Sequence, residues 1–156
     1  MGEPARVLVV DDEIIRKVLK TILEREGYVV DTVETGKEAI EKSNVNFYNL
    51  ALIDIRLPDM EGTELLTAMR ETTPKMVKII ITGYPSFENA IQAVNKGADA
   101  YVLKPFNVER VLSTIREHLK KQQEGKKYSE ERVAESVETR AREWEEERIV
   151  THKKLC

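Results

Sequence analysis

Five polar residues able to do chemistry stand just beyond four short apolar runs. Asp11 and Asp12 follow "VLVV" (7–10), Asp54 follows "LALI" (50–53), Thr82 follows "VKIII" (77–81), and Lys104, with Pro105 behind it, follows "AYVL" (100–103). A carboxylate at the end of a run built for burial is costly unless something holds it. Three carboxylates brought together raise one another's pKa values unless a cation lies among them. Oxygen ligands without His or Cys suit a hard ion. An open cluster with room for water and a phosphoryl group suits Mg²⁺ (or Mn²⁺) better than a Ca²⁺ cage. Lys104 adds an ammonium and Thr82 a hydroxyl donor. A cation, an ammonium and a hydroxyl around one carboxylate make a receptor for a phosphoryl group transferred onto that carboxylate, and Asp54 is so placed.

These residues work together only if the chain brings the ends of the runs to one place. The four runs are rich in β-branched residues, as strands buried on both faces are, and a weaker one, "YVVDTV", lies at 28–33. Helical spacing fills the intervals. Ile14, Ile15, Val18, Leu19, Ile22 and Leu23 recur at three to four residues and stop at Gly27, a natural helix-ending glycine. Thr35 and Glu38 open a second helix in capping-box spacing. A third carries Leu65, Leu66 and Met69, a fourth runs from Ser86 to Gly97, and a fifth begins at Asn107 and carries Val108, Val111, Leu112, Ile115 and Leu119. Five strand-then-helix repeats predict a parallel sheet with helices on both faces, because crossovers are nearly always right-handed. Ligands of such open sheets bind beyond the carboxyl ends of the strands. That rim is where the five polar residues fall.

The 156 residues suit one domain plus an appendage. Composition shifts near residue 120: residues 1–119 hold 15 Lys or Arg against 19 Asp or Glu, and 120–156 hold 10 against 9. "KKQQEGKK", with no apolar residue, reads as a hinge or a frayed helix end, so the expected division is a domain at 4–120, a linker or hinge at 121–128 and a helical, coiled-coil-like tail at 129–156 anchored by Val133, Val137, Ala141 and Trp144. A net charge of −3 gives no nucleic-acid footprint. The amino terminus lacks a signal-peptide pattern and no apolar run is long enough to span a bilayer, which predicts a cytoplasmic protein without membrane contact. The one cysteine, Cys156, leaves neither an internal disulfide nor a Cys-based zinc site.

"VLVVDDE", "LALIDIRLPDMEG", "IIITGY" and "AYVLKPF", in this order and spacing, resemble the receiver domain of two-component response regulators over about residues 4 to 120. The resemblance implies a flavodoxin-like, doubly wound five-stranded sheet of order 2-1-3-4-5, followed here by a helical extension. It also implies that Asp54 is the phosphoacceptor, Asp12 a direct Mg²⁺ ligand, Asp11 a ligand through water, and the backbone carbonyl of Arg56 a further ligand. Thr82 and Tyr101 match the switch pair, Lys104 the residue that pairs with the phosphoryl group, and Lys104–Pro105 a cis peptide. Arg56 and Tyr84 flank the path of the hydrolytic water and are expected to lengthen the life of the phosphorylated state. The implied partners are a sensor histidine kinase or phosphotransfer protein, and a second copy through the face of the fourth helix, fifth strand and fifth helix or through the tail.

Plainer roles compete for several residues. Asp12 suits a helix cap and Asp59 a turn with Pro58, while Gly62 and Gly97 need be no more than backbone punctuation. Gly83 suits a close approach beside the site, Tyr101 suits ordinary strand packing, and His118 is expected on a solvated helix surface. A flavin binder of the same sheet order needs a Gly-, Ser- or Thr-rich phosphate loop after the first strand. "DDEIIRK" puts repelling carboxylates there instead. A pseudo-receiver that serves only as an interaction module would lack Asp54, Asp12 or Lys104, and all three are present. Residues 121–156, 36 in number, are too few for a DNA-binding output domain, so such an output would require a longer chain.

Overall fold

The computed structural model of the chain describes residues 2–83 and 86–125. It divides into two units, Met1–Lys120 and Lys121–Cys156. In the first unit, strands β1 (Arg6–Val10), β2 (Val29–Val33), β3 (Leu50–Asp54), β4 (Val77–Thr82) and β5 (Ala100–Leu103) alternate with helices α1 (Glu13–Arg25), α2 (Gly36–Val45), α3 (Gly62–Ala68) and α4 (Phe87–Asn95). A fifth helix, α5, covers 108–120 of this unit, and residues 121–125 of the second are helical. Of the segment expected as a hinge or frayed helix end, residues 121–125 are thus helical, and the rest lies outside the described residues. The anchors of the expected tail lie outside the described residues.

All five strands are parallel, in the order β2-β1-β3-β4-β5. Chain order reverses at β1, whose neighbours are β2 and β3, and this opens a crevice between the ends of β1 and β3. The registers Val10↔Ile53, Asp54↔Ile81 and Thr82↔Leu103 bring the ends of four strands to one level.

Every residue of β3 and β4 is buried, which is why these strands read as apolar runs, interrupted in β4 by Lys78, whose buried ammonium donates to the Leu66 carbonyl. Alternate residues feed two cores. Val7, Val9, Leu50, Leu52, Ile79 and Ile81 pack with Leu19 and Leu23 of α1 and Val111, Leu112 and Ile115 of α5. Leu8, Val10, Ala51, Ile53 and Ile80 pack with Ala39 of α2, Leu65 and Leu66 of α3 and Ala93 of α4. The apolar periodicity of α1 overstates its buried face. Ile15, Leu19, Ile22 and Leu23 face the core, whereas Ile14 is 74% exposed and Val18 41%. Six apolar residues span a wider arc than one sheet face can cover, so the flank stays in water. Val108 of α5 is exposed for the same reason. Met69 caps the end of α3 rather than lying within it, and remains buried.

Caps fix where the helices begin and end. Thr35 accepts the Glu38 amide and donates to the Glu38 carboxylate, Ser86 accepts the Asn89 amide, and Gly27 and Gly97 adopt φ of 92° and 98° after α1 and α4. At the amino ends of the strands a polar knot ties β1, β2 and the residues before β3. The Tyr48 hydroxyl donates to Asp31 at 2.5 Å, Arg6 pairs with Asp31 at 3.6 Å and lies over the Tyr48 ring at 5.4 Å, and Arg6 and Asn49 exchange hydrogen bonds of 2.8 Å. Burial, and then the bond and charge of Asp31, push the Tyr48 phenol well above its ordinary range.

Candidate functional site

The opposite ends of the strands hold the site. Asp11 follows β1 directly, is 2% exposed, and is tied to the sheet by its amide, which donates to the Val33 carbonyl at 3.3 Å. Its Oδ1 accepts the Asp12 amide at 2.7 Å and the Lys104 Nζ at 2.9 Å. The same ammonium lies 3.4 Å from Asp54 Oδ2. Lys104 is aimed by its backbone, whose amide donates to the Thr82 carbonyl at 2.8 Å, and its peptide bond to Pro105 is cis, as expected. Thr82 is fully buried at the end of β4, and a Cβ on Gly83 would touch Lys104 Cβ at an ordinary 3.7 Å. The structure thus brings Asp11, Asp54, Thr82 and Lys104 to one rim.

Asp12 differs from the expected three-carboxylate cluster. Its Oδ1 accepts the Ile15 amide at 2.9 Å and so caps α1, where the unpaired amides of the first turn attract a carboxylate. Among the described residues no three His, Cys, Asp or Glu side chains stand close enough together to hold a metal ion. The donor chemistry nonetheless fits a hard cation. Asp54 Oδ1 is buried and has no hydrogen-bond partner among the described residues, and a buried carboxylate oxygen without a donor is costly. Burial, opposed by the hydrogen bonds from Lys104 and the Asp12 amide and reinforced by the charge of Asp54, raises Asp11 to about 6. For Lys104, burial alone would lower the ammonium, but Asp11, Asp54 and Asp12 outweigh it and the group is raised. The pocket therefore holds more negative charge than one ammonium balances.

Arg56 has an exposed side chain, and its backbone faces Glu61 in a short antiparallel bridge made through the carbonyls of Ile55 and Met60. Tyr84 lies outside the described residues. Tyr101 is half-buried against the α4 side of the sheet, where burial raises its phenol and the nearby Ser86 backbone opposes that rise. His118 is half-buried on α5, its Nδ1 2.9 Å from the Thr114 carbonyl, rather than fully solvated. Gly62 is more than punctuation. A Cβ there would overlap the Asp54 carbonyl oxygen and come within 2.9 Å of Ile55 Cα. The sequence carried one hint, a glycine eight residues after the buried carboxylate, but nothing local marks it as a backbone contact.

The raised Asp11 predicts a pH dependence of stability in metal-free buffer. An unfolded Asp titrates near 3.9, so between about 4 and about 6 the folded chain binds more protons than the unfolded one. Stability should fall as pH rises through that window and stay lower above it. Asp11→Asn keeps both acceptor bonds and removes the charge. It is expected to melt higher than the parent at pH 7.5, by roughly 1–2 kcal/mol, and to match it near pH 4. Equal melting at both pH values would show that no charge strain resides at Asp11.

Comparison with known proteins accords with this geometry. The family model of the response regulator receiver domain matches residues 7–116. A response regulator receiver domain protein (CheY-like) from Methanospirillum hungatei JF-1 superposes with a TM-score of 0.75 at 47% identity, covering 78% of this chain and 98% of that one. The beryllofluoride-activated NtrC4 receiver domain dimer superposes with a TM-score of 0.70 at 41% identity, covering 75% and 98%. The transcriptional regulatory protein YkoG of Bacillus subtilis is 36% identical over 119 residues, which are 76% of this chain and 52% of that protein. The chain spans about half the length, or less, of the curated relatives it matches.

Proposed function

The chain belongs to the response regulator receiver domain family, and from that premise we propose that Asp54 is the phosphoacceptor of a signalling switch. The observation that carries this reading is the pairing of Lys104 with both Asp11 and Asp54 beside a buried, unpartnered Asp54 oxygen. An Asp54 oxygen attacks the phosphorus of the donor, the bond from phosphorus to the leaving atom breaks, and the leaving group departs with that electron pair. Lys104, 17% exposed in its side chain, would exchange one of its present carboxylate partners for a phosphoryl oxygen. Asp11, Asp12, Asp54 and the Arg56 carbonyl would hold Mg²⁺, which when bound supplies positive charge to the phosphoryl oxygens. Thr82 then hydrogen-bonds the new group and Tyr101 follows into the space its hydroxyl vacates. Arg56 and Tyr84 slow the hydrolytic water.

The proposed donor is a sensor histidine kinase or a phosphotransfer protein. The proposed output surface is the α4–β5–α5 face, where Ile91, Val94, Leu103 and Val108 remain exposed, with a second copy of the chain as one partner. Likeness to a receiver solved as a dimer supports that choice. Among the described residues no helix is long and apolar enough to cross a membrane.

The test is incubation of the full chain with acetyl phosphate and Mg²⁺, read by intact mass. One phosphoryl group per chain is expected, and none with a chelator present. A chain that stays unlabelled with Mg²⁺ and with every phosphodonor tried would reduce the domain to an interaction module.

A further inference from the structure

Asp59 lies on the loop between β3 and α3, yet its carboxylate is engaged with another helix. Its Oδ1 accepts the Gly36 amide and its Oδ2 the Lys37 amide, each at 2.9 Å. These are the first two residues of α2, whose amides have no acceptor within the helix. The same helix end already has its own cap in Thr35. Next to Asp59, the Met60 thioether fills the space that a Cβ on Gly36 would need. The loop also closes on itself, with the Leu57 amide on the Met60 carbonyl at 3.1 Å and the Gly62 amide on the Ile55 carbonyl at 2.5 Å. The segment that runs on from Asp54 is thus fixed at its base by Gly62 and at its outer end by α2.

We propose that Asp59 is a positioning residue for the phosphorylation pocket: by clamping the Gly36 and Lys37 amides it holds the 55–61 segment, and through it the oxygen ligands at and after Asp54. The proposal rests on the reading of the pocket given above. Both oxygens are needed, because two adjacent amides diverge and each takes one acceptor. The two amide bonds, Lys37 first and then Gly36, also hold the Asp59 carboxyl below its ordinary range, as a clamp of this kind requires. A side chain that acts only as a helix cap would do the work of Thr35. The pairing of Asp59 with a loop that begins at the phosphoacceptor gives it a second effect.

The experiment titrates the full chain with Mg²⁺ alone, followed by calorimetry and by the rise in Tm, and measures amide exchange at Gly36 and Lys37. Asp59→Ala is expected to speed exchange at both amides and to raise the Mg²⁺ concentration for half-saturation about tenfold. Asp59→Asn, which keeps one acceptor, should fall between. Thr35→Ala removes the other cap of α2 without touching the loop. It is expected to lower Tm and leave half-saturation at the parent value. Parent-like Mg²⁺ binding by Asp59→Ala with exchange accelerated, or an equal shift from Thr35→Ala, would overturn the proposal and leave Asp59 a cap only. A parent chain that binds no Mg²⁺ would overturn the pocket reading itself, and the clamp's role with it.

Discussion

Asp54→Asn is expected to take up no phosphoryl group under conditions that label the parent fully. A carboxamide oxygen lacks the negative charge for attack on phosphorus, so the loss is of the reaction and not of a fraction of its rate. The fold should survive. Asp54 sits at the end of β3 in register with Ile81, Asn has nearly the same shape, and Lys104 keeps its bond to Asp11. Removing one of two carboxylates that crowd a single ammonium should leave Tm equal to or above that of the parent in metal-free buffer. Unlabelled protein with an intact melting transition is therefore the outcome that ties the chemistry to this residue. Full labelling of Asp54→Asn, followed to Asp11 or Thr82 by peptide mapping, would move the acceptor to a neighbour on the same rim.

Gly62→Ala is expected to be the most damaging single-methyl change in the described structure. The added carbon would overlap the Asp54 carbonyl oxygen and press on Asp54 C and Ile55 Cα, both at 2.9 Å. All three atoms belong to the backbone of the last residue of β3 and of the buried Ile55 that follows it, so none can swing aside as a side chain can. The cost should reach about 3 kcal/mol or more, a fall in Tm of about 10 °C or more. Gly83→Ala provides the contrast, since its Cβ meets Lys104 Cβ at 3.7 Å and φ needs no glycine there. Its Tm should stay within about 2 °C of the parent. Similar melting of the two variants would mean that the β3–α3 loop opens at little cost, and the account of how Asp54 is held would have to change.

Much of the fold was legible because burial on both faces leaves a strong trace. β1, β3 and β4 have no solvent side, so each reads as an apolar run, interrupted in β4 only by the buried Lys78. β2 read weakly for a physical reason: as an edge strand it leaves Val29 42% exposed and carries the half-buried Asp31 and Thr32. The rim residues were legible by position, since each strand end states its own polar residue. What the sequence hid were contacts between backbone and distant side chains. Asp59 looks like a turn residue because its partners lie 22 and 23 positions away. Gly62 looks like any glycine because its neighbour is a carbonyl that every residue has. Asp12 satisfies two local rules at once, ligand and cap, and only geometry shows which its Oδ1 obeys.

The knot of Arg6, Asp31, Tyr48 and Asn49 has a consequence for how such a domain can diverge. It fastens the strands at the end of the sheet farthest from Asp54, about 16 Å away for strands of five residues. Changes that retune the rim, by adding charge or bulk beside Lys104, cost stability where like charges already crowd. The knot touches none of those residues, so its contribution to folding is untouched by them. A lineage can therefore vary the charge and bulk of the rim at one end while remaining folded from the other. Loss of Tyr48 would narrow that freedom before it altered any signal.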